Sequence, residues 1–170
     1  MKNKDFDHWN EVKKRTEAQE KYPLFKEREI FNARIGENVG FEQCGKGDDF
    51  IRPVLILKKL TKEMFFGIPL STAPKEGSFF FKFQFVELIE STALLAQMKL
   101  FSSKRLLNKM GMIDKENFQM LKEKLSKLIF GTDFTSPNKP MSRPEGNCTF
   151  IIPQNDISQT GDFSQKETKL

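Results

Sequence analysis

The sequence predicts a small, mainly β protein of the α+β class. The expected architecture is a strongly curved antiparallel barrel or sandwich, with one helix added at the N-terminal side and another closing the fold. Three observations carry this expectation. Between residues 29 and 100 the chain is cut into short apolar runs separated by turn signals. On both sides of that region the apolar residues recur every three or four positions, the period of an amphipathic helix. Finally, 18 of the 170 residues are Phe against one Trp and one Tyr, and in one short domain that many rings are core filling and strand faces.

The elements follow in order. Residues 5–21 read as a helix, with Phe6, Trp9, Val12 and Thr16 three or four apart and charged positions between them. Asp5 and Asp7 sit where an N-cap or a dipole-matched first turn needs an acid, and Pro23 ends the segment. Its apolar stripe is narrow, so it packs on the outside of the domain. Strand candidates then occupy residues 29–35, 53–57, 64–70 and 78–86. The unbroken run Val54-Leu-Ile-Leu57 predicts a strand buried on both faces, whereas Phe81, Phe83 and Phe85 alternate with Lys82 and Gln84. Residues 92–100 suit a last long strand, and 102–109 a short helix or turn. Residues 114–129 form a strong helix pattern: Asp114 caps it, Phe118, Leu121, Leu125 and Leu128 make the stripe, and Gly131 stops it. Beyond that point prolines among polar residues predict a flexible tail, with 148–153 as an edge strand or an anchored patch. The expected organisation is a helical extension (1–28), a barrel domain (29–130) and the tail (131–170). No internal repeat is present.

Composition narrows the function classes without naming one. The net charge of +5 suits a polyanionic or acidic partner, though a plain basic domain has the same balance. Cys44 and Cys148 lie far apart with no C-x-x-C pair, which predicts free thiols in a reducing compartment. No apolar run approaches the length of a membrane span, so the expectation is a cytoplasmic protein with no membrane partner. His8 is the only histidine, which excludes a histidine-pair ribonuclease mechanism, and on a charged helix it reads as a surface residue. No metal-ligand spacing, phosphate-binding G-x-x-x-x-G-K or G-x-S-x-G elbow occurs, so no metal or cofactor is expected.

The informative stretch is G-F-E-Q-C-G-K-G-D-D-F-I-R-P-V-L-I-L, residues 40–57. A loop with several glycines carries Glu42 and runs into Arg52, directly before the buried strand. Arg52 has two readings: a solvated strand end, or a fixed cation whose fork matches phosphate oxygens.

This stretch resembles the first active-site loop and second strand of the PemK/MazF toxins. I-P-L-S-T-A-P-K-E-G (68–77) resembles their strand ending in a Ser/Thr pair before a turn. L-L-A-Q-M-K-L-F-S-S-K-R-L-L-N-K-M-G-M-I (94–113) resembles the strand with Gln, a basic residue two later and a K-R-L turn. The three blocks occur in the family's order and cover about residues 29–130. The resemblance implies an SH3-like barrel, a homodimer, and a metal-independent endoribonuclease. It would cut single-stranded RNA by 2′-hydroxyl attack, leave a 2′,3′-cyclic phosphate, and be neutralised by an antitoxin. It assigns catalysis to Arg52, Thr72 and Glu42, with Ser71, Gln97, Lys99, Phe41, Gln43 and Lys75 contacting substrate; Phe41 and Phe50 are candidates for base stacking.

The departures are specific. Ala96 precedes Gln97 where many relatives carry an acid, Phe41 stands where some have His, and Lys99 replaces a common Arg. Residues 46–50 lengthen the first loop, and the N-terminal helix and tail lie outside the family core. The alternatives are a non-catalytic member of the same fold, binding RNA or acting like a gyrase poison, and a basic interaction domain alike in fold only.

Overall fold

The computed structural model describes residues 4–86 and 89–131. Its elements are α1 (Phe6–Glu17), β1 (Glu29–Arg34), β2 (Ile51–Lys59), β3 (Met64–Ser71), β4 (Phe80–Val86), β5 (Ile89–Leu94), β6 (Lys99–Ser102), β7 (Leu106–Met112) and α2 (Lys115–Phe130). Short 3₁₀ turns occupy Leu95–Gln97 and Ser103–Arg105. The described residues are mainly β with two helices, as the sequence predicts. The segment 148–153 lies outside the described residues.

All strand pairs are antiparallel, in the order β4-β5-β3-β2-β1-β7, with β6 also on β3. Among the described residues no ladder joins the outer strands β4 and β7, so the expected barrel is realised as an open, twisted sheet rather than a closed cylinder. β2 lies at its centre, and its apolar run serves both faces. Leu55 joins Ile30, Ile68, Leu70, Phe81, Phe83, Phe118, Leu121 and Leu125 in a cluster under α2. Val54 and Ile56 join Phe31, Phe65, Phe101 and Leu106 on the other side. In β4 the alternation is kept, with Phe81 and Phe83 buried and Lys82 and Gln84 exposed.

Two segments differ from the sequence reading. The run 92–100 is not one strand: β5 ends at Leu94, a 3₁₀ turn follows, and β6 begins at Lys99. The break coincides with a change of partner on β3, whose Gly67 pairs with Lys99 and whose Leu70 pairs with Ala93. Pro69 lies in the gap and has no N–H to offer a continuous ladder. Of residues 102–109, read as a short helix or turn, Ser103–Arg105 is a 3₁₀ turn, but from Leu106 the chain is strand β7. Only Leu106 of that strand is buried, so there is little alternation to read; the pairing with β1 supplies the order.

α1 begins as expected, with the Asp5 carboxylate accepting from His8 N at 2.9 Å, and buries Trp9, Val12 and Thr16. It stops at Glu17, four residues short of the expected end, where the apolar stripe runs out. No helix among the described residues is long and apolar enough to cross a membrane.

Candidate functional site

Arg52 is the second residue of β2, opposite Ala33 of β1. Immediately before it the chain closes a tight hairpin: Lys46 N donates to Ile51 O, and Ile51 N to Lys46 O, both at 2.9 Å. Gly45 is required there, because a Cβ would lie 1.9 Å from the Phe50 carbonyl oxygen. The hairpin turns Cys44 O toward the Arg52 guanidinium, and Arg52 Nε donates to it at 2.6 Å. Among the described residues the two terminal nitrogens have no protein acceptor. Partial burial holds the Arg52 pKa below the ordinary guanidinium value, with the Cys44 side chain opposing the shift. The group stays the fixed cation of this place at neutral pH.

Arg52 lines a cavity of about 240 Å³ with Lys46, Ser71, Thr72 and Ser91. β3 delivers Ser71 at its last position, opposite Thr92 of β5, and the Ser71 Oγ accepts from Ala73 N at 3.2 Å. Thr72 follows, exposed. The structure therefore brings Arg52, Ser71 and Thr72 together. Glu42 is elsewhere: it is exposed on the loop, its N–H donates to Val39 O at 3.1 Å, and it is not among the groups lining this cavity. Among the described lining residues there are two cations and three hydroxyls, but neither a carboxylate nor an imidazole.

A second cavity of about 400 Å³ gathers Phe41, Gln43, Lys75 and Gln97, with Phe79 and Phe80 beside them. The Phe41 ring is fully exposed. The Gln97 amide, expected to contact substrate, is tied to the loop: its Oε1 accepts from Gln43 N at 3.0 Å and its Nε2 donates to Phe41 O at 3.2 Å. Here Gln97 holds the loop. Lys75 places its ammonium 5.5 Å from the centre of the Phe80 ring. Lys99 stands apart from both groups, in a third cavity with Arg105.

The loop insertion and the N-terminal helix form one unit. Phe50, at φ 51, packs its ring 5.4 Å from that of Trp9 and 5.5 Å from that of His8. Trp9, Val12 and Phe50 make a small core of their own. His8 Nε2 donates to Asp48 O at 2.8 Å, while Asp49 meets Arg15 at 3.5 Å and Arg34 at 3.4 Å. Trp9 fills the space a side chain at Gly36 would need, 2.5 Å from where its Cβ would be. The expectation that Phe50 stacks on a base is thus corrected, since the ring is buried against α1. His8 is likewise a docking contact, not a bare surface residue. Sequence reasoning missed Lys46, Trp9 and Arg105 as site neighbours. Arg105 had a signal in the K-R-L turn, whereas Lys46 and Trp9 enter only through long-range packing.

Among the described residues no three His, Cys, Asp or Glu side chains come together as a metal ion requires. The twisted antiparallel sheet with two helices matches the fold of a MazF toxin. The crystal structure of MazF (Form-I) from Deinococcus radiodurans matches with a TM-score of 0.50 at 14% identity, covering 64% of this chain and 97% of that one. The MazE-MazF complex (Form-II) from the same organism matches at 0.48 and 11% identity, covering 66% and 100%. Mycobacterium tuberculosis toxin MazF-mt6 matches at 0.45 and 17% identity, covering 59% and 94%. At these identities the likeness is one of fold. No protein-family model matches the chain, and no curated protein sequence does.

Proposed function

We propose that this chain is a toxin-type endoribonuclease of the PemK/MazF kind, cutting single-stranded RNA without a metal. The observation that carries the reading is Arg52, buttressed through Nε by the Cys44 carbonyl, in one cavity with Ser71 and Thr72. Attack by a ribose 2′-oxygen on the adjacent phosphorus forms the new P–O bond and breaks the P–O5′ bond, leaving a 2′,3′-cyclic phosphate. The step needs charge stabilisation on the phosphorane, a base for the 2′-hydroxyl proton and a proton for the departing 5′-oxygen. The terminal nitrogens of Arg52 supply the first. The Thr72 hydroxyl donates to a phosphate oxygen, with Ser71 beside it. Glu42 is the base of this reading, reaching the 2′-hydroxyl once a strand lies across the loop, and solvent water supplies the proton that the departing 5′-oxygen takes up. Single strands are required because in-line geometry is unavailable in a regular duplex. Phe41, Gln43 and Lys75 then receive an unstacked base and its phosphate.

The toxin reading implies a homodimer neutralised by an antitoxin, and the basic excess suits a flexible acidic segment as the neutralising element. The cytoplasm is the compartment this role implies. A second reading, a member that binds RNA without cutting it, is favoured by the position of Glu42 outside the Arg52 cavity.

Digestion of a long unstructured RNA in EDTA, with both new ends mapped, separates the two. The expected result is cleavage with cyclic-phosphate ends that Arg52→Ala abolishes. A requirement for Mg²⁺, or cleavage surviving in Arg52→Ala, overturns the mechanism. Binding with no cleavage in the unaltered protein establishes the second reading.

A further inference from the structure

Lys99 and Arg105 share a cavity of about 150 Å³ with Trp9, Asn38 and Phe101. The Lys99 ammonium lies 5.4 Å from the centre of the Phe101 ring and has no ion-pair or hydrogen-bond partner among the described residues. Arg105 gives Nη1–H to the Arg34 carbonyl at 3.0 Å and sets its guanidinium 5.3 Å from the Trp9 ring, which leaves its other donors unanswered. Burial holds both cations below their ordinary pKa values, and for Lys99 the Arg105 charge pushes the same way. The opposing influences on Lys99 are Glu42, which acts through space, and the Cys44 side chain. Of the carboxylates on the adjoining cavity that Arg105 also lines, Glu17 is paired with Lys104 at 2.9 Å and Glu63 with Lys62 at 3.9 Å. The Asn38 side-chain nitrogen already serves Gln43 O at 2.7 Å, and the Asn38 backbone carbonyl accepts from Lys4, so the loop wall is fixed while the cations are not neutralised.

Two like charges half out of water, facing one space with free donors, are a standing cost that an anion reverses. The volume equals that of about five waters at roughly 30 Å³ each, which admits a phosphate group. Cys44 ties this place to the first site: its carbonyl holds Arg52 on one side of the loop, and its side chain and Glu42 are felt by Lys99 on the other. We propose that Lys99 and Arg105, walled by Trp9 of α1, form a second phosphate site seating a phosphodiester of the bound strand other than the one at Arg52. The anion site stands on the cavity alone; naming the strand as RNA rests on the endoribonuclease reading.

Trp9 is the only tryptophan of the chain and lines the cavity, so its fluorescence reports occupancy directly. Titration of the full chain with inorganic phosphate should give a saturable change, weakened roughly tenfold, a loss of about 1.4 kcal/mol, in Lys99→Gln and likewise in Arg105→Gln. No change in the unaltered protein, or the same curve in Lys99→Gln, overturns the site. A 2′-O-methyl oligonucleotide, which lacks the attacking hydroxyl, tests the strand. Lys99→Gln should weaken its binding severalfold and lower the log–log salt slope by about 0.7, one phosphate contact on a single strand. Equal affinity and slope overturn the assignment to a strand phosphate. Cleavage is read separately. Absent cleavage with both responses present removes the endoribonuclease reading and supports the phosphate site; normal cleavage with neither response overturns the site alone.

Discussion

At Arg52 a single backbone contact decides what the side chain is for. Nε is spent on the Cys44 carbonyl, so the guanidinium is held at one end and offers its two terminal nitrogens together. A lysine placed there has one nitrogen, and it cannot serve both the carbonyl and a phosphate in the same geometry. Arg52→Lys is therefore expected to keep the fold and most of the RNA affinity while lowering the single-turnover cleavage rate about 100-fold, the usual scale for losing an oriented donor to a transition-state oxyanion. A rate within a few-fold of the unaltered protein would show that charge alone suffices and that the Cys44 buttress is incidental. The same scale explains why Arg52 was legible in sequence and Lys46 was not. Arg52 announces itself as a charge placed before an unbroken apolar run, whereas Lys46 reaches the cavity only because the hairpin folds back at Gly47 and Phe50.

Among the elements, those with strong local signals formed where the sequence puts them. α2 carries its own start signal: the Asp114 carboxylate accepts from Asn117 N at 2.8 Å and from Asn117 Nδ2 at 2.7 Å, and these bonds hold its pKa below the ordinary value. A depressed carboxyl pKa contributes stability that is present above the unfolded value and lost as the pH falls through the folded one. Asp114→Ala is expected to cost about 1 kcal/mol at neutral pH, the usual price of an N-cap. The difference between the two proteins should close as urea melts are taken to pH values well below 3.8. A gap that persists there would assign the effect to packing instead of the charged cap. β7 and the break between β5 and β6 were illegible for a common reason. Each depends on a partner strand, β1 for the one and the divided edge of β3 for the other, and pairing of that kind leaves little trace in hydrophobic period. The site inherits this limit. Gln97 could be assigned to the right neighbourhood from its motif, but its engagement with Gln43 and Phe41 follows from the 3₁₀ turn that the break creates.

Across the whole molecule the three apolar clusters are unequal. Two lie on the faces of the sheet and share β2, while the third consists of Trp9, Val12 and Phe50, outside the sheet. α1 and the hairpin at 46–51 therefore stabilise each other through this cluster, and they should open together. Cooperative units of this kind are visible in native-state hydrogen exchange as groups of amides with one opening free energy. The amides of α1, of Phe50 and of Ile51 are expected to exchange as one set, ahead of the β2–β3 ladder. Trp9→Ala, which empties the centre of the small cluster, should accelerate that set while leaving the ladder amides of Leu55 and Ile56 near their original rates. Its cost is expected at about 3 kcal/mol, within the range for removing a large buried ring. Because the hairpin ends at Arg52, the same variant should lower cleavage although Trp9 touches neither Ser71 nor Thr72. If the hairpin amides stay slow in Trp9→Ala while α1 becomes fast, the loop is held by the sheet alone, and α1 is an appendage without influence on the Arg52 cavity.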